Sequence, residues 1–285
     1  MEFNFFTFLF LFAILTSVIA LLWLNFRQDK SIKNSFDNVP QGFSDNISLE
    51  DHQKAGKYTQ AKLLVNHFEI IFSTLVLLIW TLGGAMNWLD QFWSLRISDP
   101  ILMGTIFILS IMLIASFIDL PFSIYRNFIL EQRFGFNRMT VRTFIGDLIK
   151  EILITLILML PLIYAILYLM NLDAIRDFWW IYVWIIITLF TLTMMWIYPS
   201  FIAPIFNKFN PLDNEVLKNR ITNLLERTGF GSDGIYVMDG SKRSSHGNAY
   251  FTGIGKNKRI VFFDTLLNGM EDKEIEAILA HELGH

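Results

Sequence analysis

A chain of 285 residues that is 53% hydrophobic and 15% aromatic, with only 17% charged, is too apolar for a soluble globular protein and points to several membrane spans. The formal net charge of −3 leaves no basic excess for a nucleic-acid partner. The absence of cysteine excludes disulfides, thiol nucleophiles and thiolate metal ligands.

The first uncharged run, residues 3–26, is long enough to cross a bilayer. A signal peptide is disfavoured. Glu2 stands where a basic segment belongs, and Leu21 to Leu24 carry the run past the small-residue stretch Ser17 to Ala20. Arg27 to His67 reads as a polar loop, with a helix predicted from Ser48 to Leu64 and a cap formed by Ser48 and Asp51. Further spans are predicted at 70–89, 101–118, 152–172 and 178–198. Asp119 and Pro121 are read as stopping the third, Pro161 as kinking the fourth, and Pro199 or Pro204 as ending the fifth. Trp88, Trp93, Trp179, Trp180 and Trp184 lie near run ends, as interfacial aromatics do. Glu69, Asp119, Asp147 and Glu151 sit at span borders, where a carboxylate must face protein or water.

Basic residues alternate between loops. The segment 27–67 carries Arg27, Lys30, Lys33, Lys54, Lys57 and Lys62, whereas 90–100 has only Arg96. The segment 119–151 carries Arg126, Arg133, Arg138, Arg142 and Lys150, whereas 173–177 has only Arg176. By the positive-inside rule the N-terminus faces out, and the segment after the fifth span lies in the cytoplasm.

Residues 208–285 are more polar. Asn214 to Arg227 reads as an amphipathic helix closed by Gly229. Ile235 to Met238, Ala249 to Thr252 and Arg259 to Phe263 are strand candidates, the last two joined as a hairpin through residues 253–258. His246, in a loop of Ser, Gly and Asn, reads as hydrogen-bonded or solvated, with metal ligation or substrate contact as the alternative.

The chain closes on His281-Glu282-Leu283-Gly284-His285, preceded by the acidic start Glu271, Asp272 and Glu274 and an apolar stripe of Ile275, Ile278 and Leu279. Histidines four apart on a helix share one face and can reach one zinc ion at about 2.0–2.1 Å. Glu282 stands beside them as the general base for water acidified by the metal. Catalytic zinc takes three protein ligands, and only His281 and His285 are supplied here. The expectation is therefore a fragment cut at the active site.

The chain resembles the type I CaaX prenyl proteases, Ste24-like integral-membrane zinc metalloproteases of the M48 family. The likeness rests on Glu131 to Asn137, on Tyr198-Pro199 and Ile205 to Leu212, on Asp239 to Phe251, on Lys258 to Leu266 and on Leu279 to His285. It implies seven transmembrane helices around a water-filled chamber, with five of them here. It also implies one zinc per chain, with a Glu well downstream as third ligand, and an edge strand at Asn248, Ala249 and Tyr250 that aligns an extended peptide. The fold expected is an all-α membrane bundle with a small α+β zinc-protease portion. Residues 1–207 would be the transmembrane domain and 208–285 the start of the peptidase domain. The expected partners are a peptide or prenylated peptide and the lipid bilayer. The expected location is a bacterial inner membrane or, in a eukaryote, the endoplasmic reticulum. An HtpX-like quality-control protease would share the zinc chemistry, but the five preceding spans and the 131–137 block argue against it. A non-catalytic membrane scaffold is the reading for a chain that truly stops at His285.

Overall fold

The computed structural model describes residues 4–253 and 258–284. His285 and residues 254–257 of the expected hairpin turn lie outside them. The chain forms two compact units. The first holds residues 1–103 and 114–130, and the second holds 104–113 and 131–285. Five of its helices are long and apolar enough to cross a membrane.

In the first unit, α1 (Phe5–Asn34) and α2 (Leu49–Thr81) pack side by side. Asn4 Oδ1 accepts from the Thr7 N–H at 3.0 Å and Ser48 Oγ from the Asp51 N–H at 3.1 Å, which satisfies the orphan donors at each helix start. Polar links run between the helices where the chain leaves its apolar runs. Gln60 Nε2 donates to Asp29 Oδ1 at 3.0 Å, and His52 Nε2 lies 2.8 Å from the Ser35 carbonyl. The structure thus corrects the reading of 27–67 as mostly loop: α1 continues past residue 26, and the 48–64 helix and the second span are one element. The run 70–89 is in turn broken, since α2 ends at Thr81 and a short α3 (Ala85–Ser94) follows Gly84, whose φ is +82°.

Helix α4 (Pro100–Tyr125) begins on Asp99, whose Oδ1 accepts from the Leu102 N–H at 2.7 Å, with Pro100 in the first turn, where its missing donor costs nothing. Pro121 does not stop it. It lies inside the helix, which continues into a π-helical turn, Arg126–Glu131. Within the first unit, Arg126 pairs with Glu69, so the border carboxylate faces protein.

In the second unit, residues 104–113 of α4 approach α6 (Val141–Met170) closely: a Cβ on Gly104 would stand 3.0 Å from Leu167 Cδ1. A three-residue turn of helix, α5 (Gln132–Phe134), ends on Gly135 at φ +81°, a conformation that L side chains resist. Pro161 is accommodated within α6. Helix α7 (Trp179–Ile197) passes through a π-helical turn, Tyr198–Ile202, into α8 (Ala203–Phe206). The apolar side chains of the long helices are largely exposed, as a lipid-facing surface requires.

The remainder of the second unit is α+β. Strand β1 (Phe209–Pro211) leads to α9 (Glu215–Thr228), β2 (Gly234–Met238), β3 (Ala249–Thr252), β4 (Arg259–Phe263), α10 (Asp264–Gly269) and α11 (Asp272–Leu283). The sheet order is β1-β2-β4-β3, with β2 and β4 parallel and the outer pairs antiparallel. Pro211 is tolerated because β1 is an edge. Leu217, Ile221, Ile260, Phe262, Ile275 and Leu279 form the buried core between this sheet and helices α9 and α11.

Candidate active site

Helix α11 starts on a reciprocal cap. The Glu271 side chain accepts from the backbone of Glu274, and Glu274 Oε2 accepts from the Glu271 N–H at 2.9 Å. Ile275 and Leu279, each 1% exposed, press one face against α9 and β3. The register is fixed further by Arg220–Glu276 at 3.6 Å and by Asn214 Nδ2 donating to Asp272 Oδ1 at 3.4 Å. Burying that face leaves His281 exposed and Glu282 half-buried in the last turn. The helix therefore carries His281 and Glu282 in its last turn, and His285, the other expected ligand, falls outside the described residues.

The strand beside this helix is β3, at the edge of the sheet. The Phe263 N–H donates to the Asn248 carbonyl at 2.9 Å, so antiparallel alternation turns the backbone of Tyr250 and Thr252 toward β4. Ala249 and Phe251 then face the open side. Asn248 is exposed, and its Oδ1 accepts the Ala249 N–H at 2.9 Å. Ala249 is buried and Tyr250 half-buried. Burial, with the Tyr198 phenol nearby, pushes the Tyr250 hydroxyl up to about 12.

The loop entering β3 is anchored on several sides. The Ser241 N–H donates to Asp264 Oδ1 at 2.8 Å, and its hydroxyl donates to the other carboxylate oxygen. Gly240 allows this close approach, since a Cβ there would stand 2.5 Å from Phe263 Cδ2. Arg243 Nε donates to Asp147 Oδ2 at 2.8 Å, Nη2 donates to the Phe206 carbonyl at 2.8 Å, and Nη1 donates to Asn207 Oδ1. The Ser245 N–H reaches the Phe136 carbonyl at 3.0 Å, and Asn137 bridges Ser244. His246 is hydrogen-bonded, as its loop setting suggests: Nε2 lies 3.2 Å from Glu131 Oε2, and the ring stacks on Phe136 at 4.3 Å between centroids.

Sequence reasoning gave Arg243, Glu131 and Phe136 no role. The available signal was that both the 131–137 block and the 239–251 block stood out together. Their physical pairing, across more than a hundred residues, leaves no local periodicity.

No three His, Asp or Glu side chains converge as a metal-binding group among the described residues. The donor chemistry nevertheless fits zinc: an exposed imidazole on the last turn of a helix held by its buried face, with a carboxylate beside it and no thiol anywhere in the chain.

Residues 28–208 match the family described as CAAX prenyl protease N-terminal, five membrane helices, and residues 211–285 match peptidase family M48. The CAAX prenyl protease 1 homolog of Dictyostelium discoideum is 37% identical over 92% of this chain and 62% of its own length. CAAX prenyl protease 1 of Saccharomyces cerevisiae is 35% identical over 92% of this chain and 60% of its own. The crystal structure of S. mikatae Ste24p superposes with a TM-score of 0.86 at 34% identity, covering 95% of this chain and 64% of that one. The chain thus spans less than two thirds of the length of these proteins.

Proposed function

The chain belongs to peptidase family M48, in its CAAX prenyl protease branch, and from that premise we propose that the full-length protein is a membrane-embedded zinc metalloendopeptidase that cleaves a peptide near a C-terminal prenylated cysteine. One observation carries the reading: a helix ending in His281 and Glu282 packs against a sheet edge that can take up an extended chain. Relatives named CAAX prenyl protease 1 support the choice of substrate.

In this reading the peptide lies along β3 and pairs with the Ala249 carbonyl and the backbone groups of Phe251, while Asn248, whose Oδ1 holds the Ala249 N–H, donates its Nδ2 to the peptide backbone. His281 and His285 would hold the zinc, with a carboxylate from beyond this chain. The bound metal supplies Lewis acidity to the scissile carbonyl and acidifies water. Glu282 removes a proton from water as its oxygen bonds to the carbonyl carbon. As the C–N bond breaks, Glu282 passes that proton to the leaving amine. We further assign residues 1–207 to the membrane domain and 208–285 to the start of the peptidase domain, with the peptidase portion on the cytoplasmic side, in keeping with the basic residues of the loops.

The test uses the full-length gene product in detergent, a farnesylated C-terminal peptide and its unprenylated twin. The expected results are one zinc per chain, faster cleavage of the farnesylated peptide, loss of metal in His281→Ala and a fall in kcat of about 10²–10⁴-fold in Glu282→Gln. Unchanged hydrolysis in Glu282→Gln sinks the reading.

A further inference from the structure

The Glu131–Asn137 block takes no part in the chemistry above, yet it is docked on the loop that feeds β3. The docking is specific. The Glu131 carbonyl accepts from the N–H groups of Phe136 at 2.8 Å and Asn137 at 3.2 Å, folding the segment back at Gly135. Asn137 Oδ1 accepts the Met139 N–H at 2.8 Å, and its Nδ2 donates to Gln132 Oε1 at 3.0 Å. The folded segment then pairs with the loop: the Arg138 N–H donates to the Arg243 carbonyl and the Ser245 N–H to the Phe136 carbonyl, both at 3.0 Å.

His246 is the point on which these contacts converge. Its ring lies flat on Phe136, with 27° between the planes, and Nε2 faces the Glu131 carboxylate at 3.2 Å. Its N–H reaches Ser244 Oγ at 3.2 Å, and its carbonyl accepts from Thr265 Oγ1 at 2.8 Å. The next residue, Gly247, runs close against Leu266. A Cβ on Gly247 would meet Leu266 Cδ1 at 3.0 Å and Leu266 Cα at 3.2 Å. Two residues beyond His246 stands Asn248, where the open edge begins.

We propose that Glu131 and Phe136 are positioning residues: they clamp His246 and thereby set where Asn248 and Ala249 present the sheet edge to the peptide. The inference rests on the protease reading and deepens it. Neither side chain need touch substrate. A displacement of about 1 Å at a site that orients a reactant can cost on the order of 10²-fold, so a clamp this close to the edge acts on substrate binding.

The experiment measures kcat and KM separately for the full-length protein on the farnesylated peptide, alongside zinc content and thermal unfolding. In Glu131→Ala, KM is expected to rise about tenfold while kcat stays within about threefold and zinc and Tm are unchanged. Glu131→Gln, which keeps a hydrogen-bonding oxygen, is expected to restore KM. Phe136→Leu gives an independent reading should Glu131→Ala fold poorly, with Phe136→Tyr as its rescue. An unmoved KM in both Glu131→Ala and Phe136→Leu overturns the proposal, as does a joint fall of kcat and Tm with KM constant. Glu282→Gln assayed beside them separates the two ideas. Hydrolysis retained there defeats the protease reading itself. An inactive Glu282→Gln next to a Glu131→Ala of unaltered KM defeats only the clamp.

Discussion

Arg243 and Asp147, 96 residues apart in the chain, share two contacts: Nε donates to Oδ2 at 2.8 Å, and Nη2 stands 2.7 Å from the same oxygen. Both side chains are about one-fifth exposed, so the pair is shielded from most solvent. Arg243 also satisfies Asn207 and the Phe206 carbonyl. Arg243→Ala removes the donor to all three at once. Hydrogen bonds to charged groups contribute about 1.5–3 kcal/mol, so a loss of about 2 kcal/mol is expected, read as a drop in Tm of several degrees in detergent. Arg243→Lys keeps the charge without the planar fork and should recover only part of it. A Tm equal to that of the parent in Arg243→Ala would show that the network contributes nothing.

Leu279 is 1% exposed and lies two residues before His281. Truncation to Ala in a packed core costs about 2–5 kcal/mol. Leu279→Ala should therefore lower thermal stability far more than Ile278→Ala, since Ile278 is only partly buried against the same core. Equal losses in the two variants would contradict the assigned face of α11.

Tyr250 supplies a pH test. Its hydroxyl is pushed up to about 12 by burial, whereas an unfolded tyrosine titrates near 10. Between those values the folded state binds more protons than the unfolded state, so stability falls as pH rises through that window and is fully present below about 10. A phenolate absorbance titration of the folded protein should lose a late-titrating component in Tyr250→Phe. Identical high-pH titration curves for the parent and Tyr250→Phe, beyond the loss of a phenol near pH 10, would rule this out.

These 285 residues contain no cysteine, so a cysteine introduced among them is read against the unsubstituted protein. Ser44 and Asn171 are both exposed. In sealed vesicles, Ser44→Cys should react with a membrane-impermeant maleimide only from the cytoplasmic side, and Asn171→Cys only from the opposite side. Reversal of the two patterns would invert the orientation inferred from the basic loops.

Hydropathy located the five membrane runs because bilayer thickness sets a length that composition reveals. It did not show that the helix capped at Ser48 runs on unbroken into the second uncharged run, because hydrogen bonding continues where hydrophobicity stops. Pro121 was misread as a stop, since a proline costs the helix one donor but does not forbid it, and the chain recovers through the π-helical turn that follows. The pair β3 and β4 was legible from its residue types, whereas β1, three residues including Pro211, carries too little pattern to register. At the site, the helix bearing His281 and Glu282 was evident from its acidic start and its apolar stripe. The clamp of Glu131 and Phe136 on His246 was not, since it joins distant segments by shape and polarity that no repeat encodes.

The open side of β3 has a consequence for behaviour at high concentration. A strand free to welcome a foreign peptide is equally free to stick to its twin on another molecule. Here that hazard is limited by brevity: the strand is four residues long, and Asn248 already occupies the first outward amide. Replacing Asn248 would therefore free that amide. It would leave the protein more inclined to self-associate, visible as a higher-order species in size-exclusion chromatography.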